Sequence, residues 1–211
     1  MRTYKRFKKY IYEMVIPILK FSKFLRWHIY LNKSKEINLI VGAGDTRVNG
    51  WFDTDIDTLN VIKEEDFTRY FSKKKIDKIL AEHVLEHLMD DELELMVANF
   101  FKYSSRKVNI RIAVPDGFHH DSNYIDYVKP GGTGDGAHDH KNLFNYKTLG
   151  FLFEKHGFKA KLIEYWDENK YFHMGYLNDN KGFIQRSMLN DERNSDGKPH
   201  YTSLIIDFTK L

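Results

Sequence analysis

The chain has 211 residues, enough for one α/β domain with a sizeable core, and its apolar content is rich in rings: 16 Phe, 13 Tyr and 3 Trp. It has no cysteine, which excludes disulfides, thiolate catalysis and cysteine-ligated zinc and fits a reducing, cytoplasmic setting. The net charge of +3 is unevenly placed: residues 1–36 carry ten Lys/Arg against two Glu, and the remainder carries 23 basic against 28 acidic residues, so a nucleic-acid surface spread over the domain is not expected.

Residues 4–31 read as helix. Tyr4, Phe7, Ile11, Met14, Val15, Ile18, Leu19, Leu25 and Ile29 recur at helical spacing, with lysines between them. Pro17 predicts a kink, because it removes a donor and clashes with the preceding turn. Two readings fit: a helix packed on a domain with solvated lysines, or an anchor lying on an anionic membrane surface. In the second, residues 1–33 would attach and Phe21, Phe24, Trp27 and Tyr30 would sit at the headgroup boundary. No small-residue cleavage site follows an apolar core, and no uncharged run of spanning length is present, so neither a signal peptide nor a transmembrane helix is expected.

The next stretch organises the rest. Ile37–Val41 is an apolar run of strand length, broken by Gly42-Ala43-Gly44, and Trp51–Asp55 is a second short strand ending in an acid. Glycines admit backbone close to a ligand. A carboxylate closing the second strand can accept both hydrogen bonds of a ribose diol. The turn lacks the third glycine of the dinucleotide fingerprint, and a plain strand-to-helix turn has the same letters.

Asp57–Tyr70 predicts a short helix and a short strand at Val61-Ile62. Within it Asp66-Phe67 is a polar–aromatic pair that could flank a purine or cap a helix. Ile76–Ala81 reads as a strand, Asp90–Tyr103 as a helix with acids in its first turn, and Val108–Val114 as a strand closed by Pro115-Asp116-Gly117. Phe118–Asn142 reads as a long glycine-rich loop holding His119, His120, Asp121, His138, Asp139 and His140; a loop of this length in a compact domain is usually functional or disordered. Asn145–His156 reads as a helix stopped by Gly157. Lys159–Trp166 and Ser203–Phe208 read as strands, and Asp167–His200, with Arg186, Asp191 and Arg193, as polar irregular chain. Alternating strands and helices predict a mostly parallel sheet. The last two strands lack a crossover helix and should pair antiparallel.

Taken in order, these pieces resemble a class I S-adenosylmethionine-dependent methyltransferase. The residues that carry the resemblance are Val41-Gly42-Ala43-Gly44, Asp55, Asp66-Phe67, AEHVLEHL (Ala81–Leu88), VPDGFHHDSNYIDYVKPGG (Val114–Gly132) and DHKNLFNYKTLGFLFEKHGF (Asp139–Phe158). The likeness is greatest to the small branch found among surface-polysaccharide biosynthesis proteins, and it covers residues 37–208. It implies a Rossmann-like fold, a seven-stranded sheet ending in an antiparallel hairpin, on residues 36–211, with 1–35 as a helical extension. It also implies S-adenosylmethionine as cofactor. Val41, Gly42, Ala43 and Gly44 would face its methionine portion, Asp55 its ribose, and Asp66 and Phe67 its adenine. Glu82 and His83 would line the methyl-transfer side, and the acceptor would be a hydroxyl of a sugar or glycan intermediate.

The same residues admit other chemistry. His83-Val-Leu-Glu86-His87 fits H-x-x-E-H, an inverted zinc-hydrolase pattern in which two histidines on one helical face bind zinc and the glutamate is the base. That pattern needs a third ligand the sequence does not identify. The histidine–aspartate sets at 119–121 and 138–140 could bind a divalent metal, supply a base through His119, Asp121 or His140, or hold their own turns. A degenerate cofactor fold serving as a scaffold is the non-catalytic alternative.

Overall fold

The structure, a computed structural model, describes residues 21, 22 and 24–211. The chain divides into two compact units between Lys35 and Glu36. In the first, residues 21, 22 and 24–33 are helical and form α1, on which Phe21, Phe24, Leu25 and Ile29 are exposed and Trp27 is buried. The four aromatics expected at a headgroup boundary therefore do not share one exposed face. Most of the helix expected over 4–31, with its Pro17 kink, lies outside the described residues.

The second unit is an α/β sheet. Among the described residues its strands are β1 (Asn38–Val41), β2 (Phe52–Asp53), β3 (Ile76–Glu82), β4 (Ser104–Pro115), β5 (Phe158–Trp166), β6 (Phe172–Met174) and β7 (Ser203–Lys210). They lie in the order β2-β1-β3-β4-β7-β5-β6. β2, β1, β3 and β4 pair parallel; β7 enters antiparallel between β4 and β5, and β6 adds an antiparallel edge. The expected antiparallel final pair is thus β5 with β7. β4 and β7 are continuously buried over Val108–Pro115 and Ser203–Phe208, as strands covered on both faces require. Ile110, Ile112 and Ile206 are buried there, as are Leu39 on β1 and Ile79 on β3.

The helices are α2 (Glu64–Phe71), α3 (Asp90–Tyr103), α4 (Ser122–Val128) and α5 (Tyr146–Glu154). α5 begins where its residues dictate. The Asn145 side chain accepts from the backbone N–H of Lys147 and Thr148, and Thr148 Oγ1 accepts from Asn145 N. Gly157 follows at φ 87°, the left-handed stop expected of it.

Three local expectations are corrected. Val61-Ile62 is a turn, not a strand: the Val61 carbonyl accepts from Asn99 Nδ2 at 2.9 Å, so a side chain of α3 takes the place of a neighbouring strand. The stretch 118–142 is not a free loop. It contains α4, capped by Asp121 whose side chain accepts from Asn123 N, and a 3₁₀ turn at Ala137–Asp139. Its glycines at 132 and 134 lie against backbone carbonyls of α4, where a Cβ would approach to 2.6 Å, so they serve close packing rather than hinge motion. Finally, 167–200 supplies β6 and a 3₁₀ turn at Glu192–Asn194.

Candidate functional site

β1 has β2 on one side and β3 on the other, so the strand order reverses at β1. Open α/β sheets bind ligands outside the carboxyl ends of strands at such a point. Here those ends open on a cleft of about 600 Å³. Its wall includes Val41, Gly42, Ala43 and Gly44 from the first turn, Glu82 and His83 from the end of β3, and Glu86, His87 and His140.

The first turn is fixed by backbone bonds. Thr54 N donates to the Ile40 carbonyl, and Ala43 N donates to the Thr54 carbonyl. Gly42 and Gly44 stand at φ 59° and 50°, in the left-handed region where only glycine is unstrained. A Cβ on Gly42 would come within 2.5 Å of Val84 Cγ2; one on Gly44 would meet no atom within 4 Å. Asp55 does not line the cleft. Its Oδ2 accepts from Gly44 N at 3.3 Å and its Oδ1 from Ile56 N at 3.2 Å, so the acid braces the turn.

Glu82 is also a brace. Its two carboxylate oxygens accept from Gln185 N at 3.1 Å and Arg186 N at 2.7 Å, pinning the late chain segment over the sheet edge. This segment brings Gln185, Arg186, Glu192 and Arg193 into the cleft wall. Sequence reasoning saw only a polar irregular region there. The density of charge at Arg186, Asp191 and Arg193 was the available signal. Arg193 is committed to Asp191, Nη2 to Oδ2 at 2.6 Å, and to the face of Tyr201. No ion pair holds Arg186 among the described residues.

His83 takes φ 53°, uncommon for a residue with a Cβ. Its Nε2 lies 3.0 Å from Ser203 Oγ and its Nδ1 3.1 Å from Glu86 Oε1. Glu86 is fully buried, and neither carboxylate oxygen has an aligned hydrogen-bond donor. Burial pushes its carboxyl up, but the neighbouring His83 and His87 imidazoles outweigh this and bring it below the ordinary range. The H-x-x-E-H reading fails in its geometry. Leu85–His87 is one 3₁₀ turn and His83 precedes it in a left-handed conformation, so the two histidines share no helical face.

His140 reaches the same wall from the far side of the sequence. Its Nδ1 lies 2.6 Å from the Val128 carbonyl, and its ring meets His87 edge to face at 4.8 Å. Of the three expected catalytic residues it alone faces the cleft. His119 is 1% exposed, stacked on Tyr124 at 3.9 Å and packed against Trp166. Burial pushes its imidazole down to about 4, so it stays neutral. Its Nδ1 accepts from Asp121 N. Asp121 caps α4 and does not line the cleft. Both are corrected to structural roles.

Asp66 and Phe67 are corrected too. Phe67 is 0% exposed, enclosed by Phe71, Phe100 and Tyr103, and offers no face to a base. Asp66 Oδ2 accepts from Asn60 N at 2.9 Å and closes the turn before α2. Phe67 faces inward because α2 packs its apolar side on α3.

No protein-family model matches the chain, and no curated protein matches it. Among solved structures it is similar to a SAM-dependent methyltransferase from Archaeoglobus fulgidus, at 16% identity and a TM-score of 0.47, over 92% of this chain and 94% of that one. It is similar to a magnesium protoporphyrin IX methyltransferase from Synechocystis PCC 6803 with bound SAH, at 8% identity and a TM-score of 0.43, over 91% and 83% of the two chains. It is also similar to LepI in complex with SAM, at 9% identity and a TM-score of 0.41; this chain matches over 90% of its length but spans only 40% of LepI.

Proposed function

We propose that this chain is an S-adenosylmethionine-dependent methyltransferase acting on a hydroxyl of a sugar or glycan intermediate. The observation that carries the cofactor is the left-handed Gly42–Gly44 turn opening on a large cleft where the strand order reverses, with Asp55 bonded to Gly44. The open space at Gly44 fits a ligand lying against bare backbone. Gly42, Ala43 and Gly44 would follow the methionine portion, and Asp55 would turn from Gly44 N to the ribose diol. Arg186 offers a guanidinium to the methionine carboxylate. When bound, the cofactor supplies a methyl group made electrophilic by a sulfonium. Glu82 and His83 border its reactive side, and the cluster of Glu86, His87 and His140 is where an acceptor hydroxyl is activated. A cleft wall so rich in charged and imidazole groups suits a hydroxylated acceptor better than an apolar one.

Calorimetric titration with S-adenosylmethionine and its demethylated product tests this. Both should bind. Gly44→Ala meets no steric clash and costs the fold only ~1–2 kcal/mol for its left-handed backbone, yet should weaken cofactor binding by about tenfold or more. Asp55→Ala removes hydrogen bonds to a charged acceptor, each worth ~1.5–3 kcal/mol. Phe67→Ala should instead lower stability by ~3–5 kcal/mol and leave cofactor affinity of the folded protein unchanged. Absence of binding by wild type, or affinity untouched in both the Gly44 and Asp55 variants, would sink the assignment.

A further inference from the structure

We propose that Glu86, His87 and His140 together hold one divalent transition-metal ion on the wall of the cleft. One ligand atom from each lies within 4.8 Å of the others. Two imidazoles and one carboxylate form the donor mix taken by ions such as Zn²⁺, Mn²⁺, Co²⁺ and Fe²⁺, unlike the oxygen sets that suit Mg²⁺ or Ca²⁺.

An independent observation points to a cation. Glu86 is 0% exposed, and neither of its carboxylate oxygens accepts a hydrogen bond. His83 Nδ1 comes to 3.1 Å of Oε1 without hydrogen-bond alignment. A buried carboxylate is costly unless positive charge faces it; His83 faces Oε1, while Oε2 has no partner among the described residues.

The His140 imidazole is oriented by an outer partner. The 2.6 Å contact of His140 Nδ1 with the Val128 carbonyl requires Nδ1–H to donate, which leaves the lone pair on Nε2. His87 Nδ1 lies 3.4 Å from Asp139 Oδ2. A hydrogen-bonded carbonyl of the kind at His140 fixes the tautomer of a metal-binding histidine. The scaffold is bonded across the site as well. The Glu86 carbonyl accepts from Lys141 N at 2.6 Å and Asn142 N at 3.1 Å, and Asn142 Nδ2 donates to the Leu88 carbonyl at 2.8 Å. The chain segment carrying His140 is thereby laced to the turn carrying Glu86 and His87.

Binding of the ion rests on these side chains alone. Its use in catalysis rests on the proposed methyl transfer: an ion here would hold the acceptor oxygen and lower its pKa, with the histidines as ligands rather than bases.

The test is titration of the full chain, stripped with chelator, with Zn²⁺ and separately with Mg²⁺, and with Co²⁺ followed by visible absorption. One Zn²⁺ per chain and no Mg²⁺ heat are expected. His87→Ala and His140→Ala should each weaken Zn²⁺ binding by at least about tenfold and change the Co²⁺ spectrum. Glu86→Gln should do the same with its circular dichroism unchanged; if that variant does not fold, the two histidine variants decide. No Zn²⁺ binding by wild type, or binding unchanged in both histidine variants, overturns the site. S-adenosylmethionine titrated into the metal-free protein reads the cofactor separately. Zn²⁺ binding without cofactor binding keeps the metal site and removes the methyltransferase reading, and the reverse result removes the metal site alone.

Discussion

At the scale of single residues, the cleft is shaped by acids whose carboxylates hold backbone N–H groups. Glu82 holds Gln185 and Arg186, and Glu164, on β5, accepts from Met188 N at 2.9 Å. Together they fasten the segment that carries Arg186 to the wall. Glu164 is fully buried, and its Oε2 has no hydrogen-bond partner. Burial, aided by nearby Asp116, pushes its carboxyl up to about 7. The folded state therefore binds a proton that the unfolded chain releases above its ordinary value of 4.5. Stability is greatest below that value and falls as pH rises toward 7, by about 3 kcal/mol at completion. Glu164→Gln keeps the acceptor for Met188 N and cannot ionise. Urea unfolding of both proteins from pH 4 to pH 8 should show the variant gaining on wild type as pH rises. A constant difference across that range would show that Glu164 does not titrate in this way.

At the scale of elements, the late segment is tied down a third time through Arg111 of β4. Its guanidinium forms a two-point bond with Asp207, its cross-strand partner on β7, at 2.8 and 3.0 Å, and another with Asp179 at 2.8 and 3.2 Å. It also donates to the Gly182 carbonyl and lies over the Tyr176 ring. Removing one partner of a buried ion pair strands the other, a loss of ~3–5 kcal/mol. Arg111→Ala should show this in urea unfolding, and Arg111→Lys should recover only part, because an ammonium cannot reproduce the two forks. A loss below ~1 kcal/mol in the alanine variant would remove Arg111 as the clamp. These ties explain what was legible. Strands and helices with local signals, such as β3 with Ile79-Leu80-Ala81 or α5 with Asn145 and Gly157, could be read from neighbours in sequence. The Gly42–Gly44 turn was legible because its glycines are needed locally. Phe67 and His119 misled because burial is decided by partners far along the chain: Phe100 and Tyr103 for one, Trp166 for the other. α4 had a readable start in Asp121 followed by Tyr124 and Val128 at helical spacing, but the surrounding glycines and histidines masked it. The grouping of His140 with Glu86 and His87 depends on backbone bonds across more than fifty residues and left no local pattern to find.

At the scale of the whole molecule, charge and chain organisation divide at the same place. Ten of the Lys/Arg residues against two Glu fall in 1–36, while the rest is net acidic, and the compact units separate between Lys35 and Glu36. Phe21, Phe24, Leu25 and Ile29 are exposed and recur at helical spacing, an apolar stripe on a segment that also exposes Arg26 and Lys33. Among the described residues no helix is long and apolar enough to cross a membrane. We propose that residues 1–33 hold the protein at an anionic lipid surface, while 36–211 fold and bind cofactor without them. Each basic residue near such a surface contributes ~1 kcal/mol, screened by salt. The full chain should therefore sediment with vesicles containing phosphatidylserine, release steeply as salt is raised, and ignore purely zwitterionic vesicles. A chain beginning at Glu36 should lose the sedimentation yet unfold cooperatively and keep its affinity for S-adenosylmethionine. Failure of that shortened chain to fold would make the segment part of the domain's core. Vesicle binding that survives its removal would place the lipid contact elsewhere.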